Sequence, residues 1–409
     1  MSKYDPNSPL LAYDPSEDKG LRTAGSDLIT KIETFLVKPR SWVFVRVETK
    51  NGIVGWGETM LDGHSDAIVG AFEDFKTRLI GWDPANIEDM WQHLFRHRFH
   101  RGGPVLQAAI AGLDIALWDI KGKALGVPIW QLLGGRVRDR VNVYGWVGGD
   151  TPHDVGAAAK VRKEQGFTVL KMNATGQLGW IDSPSKLDEV VERVKEVKAL
   201  GLDVGLDFHG RLHKGMAKQL ARKLEPVEPY FIEEPLLPFQ QEELAKLYQQ
   251  TTIPIATGER LTCRQECRPY FESGCMDICQ SDVSHCGGIS ELRRIAAYAE
   301  IYDIGMAPHC PNGPISFAAT LQLGFAVPNF VISEMSWQMH YAQEGYDLMT
   351  YLKSTDVFDV KEGSIGLLTA PGLGIEINEE LVRQIDKENA GYHWRVPVWR
   401  GPNGEGREW

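Results

Sequence analysis

The residues Asp203-Val-Gly-Leu-Asp-Phe-His209 contain the pattern from which the fold of this sequence is predicted. It is a short apolar run that ends at an acid, Asp207, and similar runs recur through the second half of the chain. Each run is closed by one acidic or basic residue, and consecutive members are 23 to 27 residues apart: Asp207, Glu233, Glu259, Asp282, His309 and Glu334. That period corresponds to one strand plus one helix.

Two earlier apolar runs, at residues 141–147 and 167–172, bring the number of predicted strands to eight. Eight parallel strands that alternate with helices close into a barrel, and residues at their carboxyl ends converge on one face. The sequence therefore predicts an α/β fold, a (β/α)7β-type modified TIM barrel, over residues 141–372. Any one of the acids could instead be a helix cap or a solvated loop residue, but six in consecutive register favour a shared site.

The length of 409 residues exceeds what a single core of roughly 250 to 300 residues accommodates, so a second domain is expected. Three strand patterns followed by helical patterns predict an N-terminal α+β capping domain over residues 26–140, with Asn51-Gly52 as its clearest hairpin signal. Residues 1–25 are polar and are expected to form a flexible lead-in. Residues 373–409, which are rich in tryptophan, are expected to pack back on the capping domain.

The bulk composition excludes several classes of protein. A net charge of −11 with interspersed acids and bases argues against a nucleic-acid binder, and no apolar run is long enough to span a membrane. The six cysteines form no CxxC pair, which favours buried thiols over a zinc or redox motif. With no secretion signal apparent in the sequence, a cytoplasmic location is expected.

Three carboxylates at successive strand ends, Asp207, Glu233 and Glu259, predict an all-oxygen site for a hard cation such as Mg²⁺. Glu234 competes with Glu233 for this role, because adjacent strand residues point to opposite faces.

Asp282 and His309 end consecutive strands, and this pairing predicts a general base. A carboxylate bonded to one imidazole nitrogen fixes the tautomer and leaves the other nitrogen free to accept a proton. Glu334 on the last strand completes the ring of polar residues. Because a carboxyl group among other acids tends to keep its proton, Glu334 is expected to donate a hydrogen bond to a developing oxyanion.

Further polar residues are expected near this ring. His209 lies two residues after Asp207, so both side chains should point the same way, and Lys171 and Asn173 share a face of the second strand. Lys171 could offset the charge of a substrate carboxylate, whereas Asn173 can only form hydrogen bonds.

The segment Met60-Leu-Asp-Gly-His-Ser65 is predicted to be a lid over the barrel mouth. His64 in this lid, together with Arg40 and Trp42, is expected to contact the distal part of a substrate. Asn173 and Trp337 are the barrel residues expected to share in this binding.

Several motifs together resemble the mandelate racemase subgroup of the enolase superfamily. In the barrel half they are Gly205-Leu-Asp-Phe-His-Gly-Arg211, Phe231-Ile-Glu-Glu-Pro235, Thr257-Gly-Glu-Arg260, Gln280-Ser-Asp-Val-Ser-His-Cys-Gly-Gly288 and Ala307-Pro-His-Cys-Pro311. In the first domain they are Gly55-Trp-Gly-Glu58, Phe99-His-Arg-Gly-Gly-Pro104 and Ala116-Leu-Trp-Asp-Ile-Lys-Gly-Lys123.

The resemblance implies one Mg²⁺ per subunit on the three carboxylates, His309 with Asp282 as base, Glu334 as hydrogen-bond donor and His209 as general acid. Racemases of the subgroup carry Lys-x-Lys on the second strand, and Asn173 replaces the second lysine here. A base on one side with an acid nearby suits elimination. The implied reaction is dehydration of an aldonate, such as D-galactonate, to a 2-keto-3-deoxy acid through an enediolate.

The alternatives are gluconate or another aldonate as substrate, then a racemase or epimerase of the same subgroup, and then a non-catalytic barrel that binds a ligand. The resemblance also implies a homo-oligomer in which dimers assemble into an octamer.

Overall fold

The computed structural model describes residues 20–21, 25–96, 99–153, 155–342, 345–389 and 393–409. The expected flexible lead-in over residues 1–25 lies almost wholly outside the described residues and stays a prediction.

The first part of the chain is a three-stranded antiparallel sheet followed by helices. The strands β1 (Ile29–Val37), β2 (Trp42–Thr49) and β3 (Val54–Thr59) pair in sequence order. The predicted turn at Gly52 is present, with φ of 83° at that glycine and its N–H donating to Thr49 at 3.0 Å. The helices are α1 (Ser65–Leu79), α2 (Ile87–Arg96), α3 (Pro104–Leu125) and the short α4 (Ile129–Leu132). This is the predicted α+β capping architecture.

Helix α3 is apolar around most of its circumference because it packs between the capping sheet and the barrel. Its contact with β3 is so close that a Cβ atom on Gly57 would lie 1.8 Å from the carbonyl oxygen of Gly112. Only glycine allows the two backbones to meet at this distance.

Eight parallel strands form the barrel, as predicted. They are β4 (Arg140–Trp146), β5 (Val169–Asn173), β6 (Asp203–Asp207), β7 (Phe231–Glu233), β8 (Ile255–Thr257), β9 (Ile278–Cys279), β10 (Gly305–Met306) and β11 (Ser333–Glu334). Neighbours in sequence are hydrogen-bonded from β4 to β10. The barrel closes because β11 pairs in parallel with β4 and a bridge joins Met306 to Phe330.

Seven helices follow the first seven barrel strands. They are α5 (Gly156–Glu164), α6 (Ser185–Ala199), α7 (Lys214–Leu224), α8 (Gln241–Tyr248), α9 (Arg264–Ser273), α10 (Gly288–Glu300) and α11 (Pro314–Ala326). The eighth strand is followed instead by irregular chain, the strands β12 (Val360–Lys361) and β13 (Ser364–Gly366), and α12 (Glu379–Glu388). The predicted (β/α)7β fold is therefore confirmed.

The lower part of the barrel is filled by apolar side chains. A buried cluster takes residues from nearly every strand or its flank: Tyr144, Val169, Phe231, Ala256, Ile278, Ala307 and Ile332. A Cβ atom on Gly205 would lie 2.4 Å from the Phe231 ring, so glycine at this position of β6 lets that ring fill the centre. The barrel is a packed core below its carboxyl-end face, and polar chemistry is confined to that face.

Two elements after the barrel strands, the strand β13 and the helix α12, were not predicted as regular structure. The strand β13 adds to the barrel sheet antiparallel to β4. Helix α12 packs on β1, where Asp386 accepts a hydrogen bond from the Leu36 N–H at 2.7 Å and Arg383 pairs with Glu33 at 3.1 Å.

The final part of the chain, residues 393–409, is called the closing segment below. It contains the two-stranded sheet of β14 (Trp399–Arg400) and β15 (Gly406–Arg407). Its Trp394 N–H donates to the hydroxyl of Ser41 at 3.1 Å, and Arg395 donates to the Gly63 carbonyl at 3.1 Å. The segment therefore contacts the capping domain between β1 and β2 and within the predicted lid.

A buried carboxylate joins the capping domain to the barrel. Glu58, near the end of β3, accepts hydrogen bonds from the N–H groups of Gly313, Ile315 and Ser316 at 2.5, 3.0 and 2.9 Å. These groups begin α11, where unpaired N–H groups and the helix dipole favour a negative charge. The joint fixes the loop after His309 against the capping sheet.

Among the described residues, no helix is both long and apolar enough to cross a bilayer.

Candidate active site

The three carboxylates predicted to bind metal lie at the carboxyl ends of neighbouring strands. Asp207 ends β6, Glu233 ends β7 directly beside it in register, and Glu259 follows β8 by two residues. Asp207 and Glu233 are buried, and the side chain of Glu259 is 10% exposed. The barrel register therefore brings these acids to one rim.

Lys171 of β5 lies among these acids and is completely buried. Its Nζ is 2.5 Å from Oε1 of Glu233, 3.2 Å from Oε1 of Glu334 and 3.5 Å from Oδ2 of Asp207. Burial alone would lower the pKa of Lys171, but Glu233 and Glu334 hold it well above its ordinary value. The ammonium group is therefore a fixed positive charge at the centre of the site.

The structure separates the two adjacent glutamates that the sequence left as alternatives. Glu233 faces Lys171 and also accepts a hydrogen bond from Gln280 Nε2 at 2.7 Å. Glu234, with a φ of 39°, accepts from Thr257 Oγ1 at 2.7 Å and pairs with Arg260 at 2.9 Å. Of these two glutamates, only Glu233 lies with Asp207 beside Lys171.

His309 and Asp282 are joined as expected of a base and its orienting carboxylate. Nδ1 of His309 is 2.7 Å from Oδ2 of Asp282. The carboxylate is itself fixed by the N–H and hydroxyl of Ser284, both at 2.7 Å, and by Asn312 Nδ2 at 2.9 Å. Burial alone would raise the pKa of Asp282, but the charge of His285 and the bond to His309 lower it to about 2.

The second nitrogen of His309 faces the carboxylate rim. Its Nε2 is 3.4 Å from Oε2 of Glu259. Burial alone would lower the pKa of His309, but Glu259 and the bond to Asp282 raise it to about 10. A divalent cation bound to Glu259 would neutralise part of the negative charge that stabilises the protonated His309. It would therefore lower the pKa of His309, which is the direction that a general base at neutral pH requires.

Glu334 is held by three donors. Trp146 Nε1 lies 2.5 Å from its Oε1, Lys171 Nζ lies 3.2 Å from the same atom, and the Cys310 N–H donates to Oε2 at 2.7 Å. The donor role that the sequence predicted for Glu334 thus requires the substrate to replace one of these partners.

His209 lies just past β6 and near Asp207. Its backbone has a φ of 58°, and its N–H donates to Oδ1 of Asp207 at 2.6 Å. Its Nδ1 is buried and has no hydrogen-bond partner within the part of the chain that the structure describes. Burial lowers the pKa of His209. Asn173, the neighbour of Asp207 in register, donates to the Gly149 carbonyl at 3.1 Å.

The residues predicted to bind the distal part of a substrate differ in burial and in the side chains that they contact. Arg40 is buried, pairs with Asp62 of the predicted lid, and stacks over the Tyr341 ring at 3.9 Å. Trp42 is a core residue that packs against Phe44.

His64 and Trp337 are less clearly connected to the site. His64 is exposed and directly precedes α1. The ring contact of Trp337 is with Phe167, 6.3 Å away between centroids. The structure does not bring Trp337 into contact with the acidic residues.

Several residues of the site were missed by sequence reasoning. Gln280 and Ser284 lie two residues on either side of Asp282, and Asn312 lies three after His309. The alternation of side chains near a strand end could have signalled Gln280. The sequence carries no local signal for Trp146 or Asn312, because their bonds join distant strands and loops.

A second group of potential metal ligands is formed by Asp282, His285 and His309, whose ligand atoms lie within 4.8 Å of one another. His285 lies three residues after Asp282, and its Nδ1 is 3.8 Å from Oδ2 of Asp282. This group fits a metal poorly, since the Asp282 oxygens and His309 Nδ1 are already bonded to each other or to Ser284 and Asn312.

The carboxylate rim fits a hard cation better. Burial and the nearby charge of Asp207 raise the pKa of Glu233 well above its usual range. Arg260 and His309 hold the pKa of Glu259 below its usual range even though burial alone would raise it. The rim therefore needs positive charge beyond that of Lys171, and its oxygen donors are those that Mg²⁺ prefers.

Comparison with known families matches both halves of the chain. Residues 29–134 match the family described as mandelate racemase / muconate lactonizing enzyme, N-terminal domain. Residues 154–381 match the family described as enolase C-terminal domain-like.

Named relatives and solved structures agree with these matches. The chain is 48% identical to D-galactonate dehydratase of Pectobacterium atrosepticum, over 93% of this chain and 100% of that protein. It is 46% identical, with the same coverage, to D-galactonate dehydratase of Variovorax paradoxus. A crystal structure of a putative galactarate dehydratase from Agrobacterium radiobacter, bound to Na and L-malate, superposes with a TM-score of 0.83 at 30% identity. That comparison covers 93% of this chain and 99% of the other.

Proposed function

The chain belongs to the mandelate racemase / muconate lactonizing enzyme family of the enolase superfamily, and we propose that it is a hydro-lyase that dehydrates D-galactonate. The product is a 2-keto-3-deoxy acid. The observation that carries this proposal is the asymmetry of the site. His309 is oriented by Asp282 at 2.7 Å, while the second strand ends in Asn173, which cannot act as a second base.

Proton removal from C2 falls to His309. Because Nδ1 is bonded to Asp282, Nε2 is the atom that accepts the C2 proton. The bond to Asp282 stabilises the imidazolium that results. Removal of this proton leaves an enediolate, whose negative charge develops on the carboxylate oxygens of the substrate.

Lys171 and Glu334 stabilise that negative charge, Lys171 through its ammonium group and Glu334 as a hydrogen-bond donor. They lie 3.2 Å apart, and the buried ammonium of Lys171 is already in place before the reaction, so it stabilises the developing charge without reorganisation. Asp207, Glu233 and Glu259 would hold one Mg²⁺ per subunit. When bound, this ion supplies further positive charge beside the substrate carboxylate.

Loss of the 3-hydroxyl requires an acid. His209 lies next to Asp207 at the same rim, and we assign it the proton that the departing hydroxyl takes up as water. The C2–H and C3–O bonds break, an enol forms, and its tautomerisation gives the 2-keto-3-deoxy product. Protons and charge balance without any oxidant.

The proposal also covers the oligomeric state and the cellular location of the enzyme. The family resemblance suggests dimers that assemble into an octamer, which analytical ultracentrifugation tests. A cytoplasmic site of action is consistent with six free, buried cysteines, and is tested by fractionation of cells that express the protein.

The activity is tested by incubating the purified protein with Mg²⁺ and a library of aldonates, and by measuring 2-keto-3-deoxy acids as their semicarbazones. D-Galactonate is expected to give the highest kcat/KM. Turnover of gluconate above galactonate would correct the substrate, and a change of C2 configuration without loss of water would replace dehydration by epimerisation.

A further inference from the structure

We propose that Trp409 is a positioning residue for the elimination step: its indole orients His209 and excludes water from it. The inference rests on the proposed function, since it assigns Trp409 to the half of the reaction that His209 performs. Trp409 belongs to the closing segment and is far from every motif of the barrel in sequence.

The contact between the two rings is direct. Their centroids are 5.0 Å apart and the planes are inclined at 84°, an edge-to-face arrangement. Both residues are half-buried. In this geometry the edge of one ring meets the π-face of the other, and this electrostatic attraction favours one ring orientation over another.

His209 needs such a contact because no hydrogen bond from the described residues fixes its ring through Nδ1. Nδ1 is buried without a hydrogen-bond partner among the described residues. His309 differs in this respect, since its Nδ1 is fixed by Asp282 at 2.7 Å. The base of the proposed reaction is thus oriented by a carboxylate, whereas the acid is oriented by packing against Trp409.

The indole is itself held by a series of aromatic contacts. Trp409 lies 6.1 Å from Trp394, and Trp394 lies 6.1 Å from Tyr341. Arg40 stacks over both of these, at 3.9 Å from Tyr341 and 4.7 Å from Trp394. The hydroxyl of Tyr341 donates to Asp150 at 3.0 Å.

The closing segment also rests on the barrel. Trp399 stacks with Arg211, whose guanidinium carbon is 4.8 Å from the ring, and Arg211 donates to the Asp150 carbonyl at 3.0 Å. The segment therefore contacts the capping domain through Trp394 at Ser41 and the barrel through Trp399 at Arg211, and Trp409, ten residues after the second anchor, contacts His209.

Proton removal from C2 and loss of the 3-hydroxyl should therefore respond differently to a change at Trp409, and the two steps can be measured separately. Removal of the C2 proton depends on His309 and should not depend on the orientation of His209. Departure of the 3-hydroxyl depends on His209 and should be slowed if its ring rotates or is hydrated. Trp409 should therefore affect elimination and leave exchange of the C2 hydrogen unchanged.

The test compares Trp409→Ala and Trp409→Phe with the wild type, and uses Val398→Ala as the control. Val398 belongs to the same segment and is 78% exposed, and it is not one of the residues that anchor the segment. For each protein, dehydration of D-galactonate and exchange of its C2 hydrogen in deuterium oxide are measured. The rate at which diethyl pyrocarbonate modifies His209 is also measured by peptide mass spectrometry.

We expect Trp409→Ala to lower kcat for dehydration about 10-fold or more while exchange stays within about twofold. Modification of His209 should become several times faster. Trp409→Phe should recover most of the activity, and Val398→Ala should resemble the wild type in all three measurements.

An unchanged ratio of exchange to dehydration in Trp409→Ala, or unchanged modification of His209, would overturn the inference. A wild type that neither dehydrates nor exchanges any aldonate would instead refute the proposed function. The modification experiment needs no substrate, so it still decides whether Trp409 shields His209.

Discussion

Nζ of Lys171 lies 2.5 Å from Oε1 of Glu233, and neither side chain is exposed to solvent. The other oxygen of Glu233 accepts from Gln280 at 2.7 Å. The next residue, Glu234, instead pairs with Arg260 at 2.9 Å. Two adjacent carboxylates thus have separate tasks, one in the reactive pocket and the other in holding the rim together.

The separation predicts different outcomes for the same substitution at the two positions. Glu233→Gln should lower Mg²⁺-dependent turnover on the order of 10²-fold or more, because an amide cannot replace a charged ligand. Glu234→Gln should keep the Mg²⁺ dependence and reduce mainly thermal stability. Titration of activity with Mg²⁺ after dialysis against a chelator measures both, and equal losses in the two variants would remove Glu233 from the ligand set.

The roles of general base and general acid should become distinguishable when His309 and His209 are replaced one at a time. His309→Asn should lose both dehydration and C2-hydrogen exchange by about 10²-fold or more, since both need the proton acceptor. His209→Asn should lose dehydration but keep exchange. Proton NMR in deuterium oxide follows exchange and product together, and exchange that survives in His309→Asn would identify another residue as the base.

We predict that Arg40 influences which aldonate is the best substrate. Its guanidinium stacks against the rings of Tyr341 and Trp394 and pairs with Asp62 of the predicted lid. Arg40→Lys keeps the charge but loses the stacking, so kcat/KM should fall unequally among aldonates that differ at C4 and C5.

The matched control is Arg46→Lys. Arg46 is another buried arginine of the capping domain, and its carboxylate partners Glu33, Glu48 and Glu379 lie in the capping sheet and α12. It should leave the ranking of substrates unchanged. An unchanged ranking in Arg40→Lys would assign specificity to the barrel, with Asn173 as the next residue to vary.

The contact between β1 and α12 predicts a pH-dependent contribution to stability. Burial alone would raise the pKa of Glu33, but the bonds to Arg383 and Lys31 lower it to about 2. Because the folded pKa lies below the unfolded value of 4.5, the stabilisation is complete above that value and is lost as pH falls toward 2.

Glu33→Gln should therefore reduce the free energy of unfolding by about 1 kcal/mol at pH 7, a figure reduced for solvent screening. The difference from the wild type should shrink between pH 5 and pH 3, which is followed by chemical denaturation at each pH. A difference that grows as pH falls would contradict the assignment of the shift to Glu33.

The barrel and the order of its polar residues were predictable because each strand of a parallel barrel places its last residues on one face. Asp207, Glu233 and Glu334 are the final residues of their strands, and His309 follows β10 by three residues. A constant sequence period is sufficient to place them. The same rule could not choose between Glu233 and Glu234, since the choice depends on the backbone turn at φ of 39°.

What the sequence could not predict depends on contacts between distant segments. β13 contributes only three residues to the barrel sheet, too few to show alternation. The approach of Trp409 to His209 joins positions 200 residues apart, and nothing in the local pattern of either residue signals it. Trp337 is expected near the substrate, and its ring contact with Phe167 leaves that expectation a prediction.

The bond of Glu58 to the first turn of α11 has an evolutionary consequence. Every residue except proline supplies a backbone N–H, so this bond constrains a descendant sequence only to retain Glu58 and to keep proline out of positions 313, 315 and 316. A chimaera that combines the capping domain of one relative with the barrel of another would keep its catalytic loop in place only if both sides of this joint come from compatible parents.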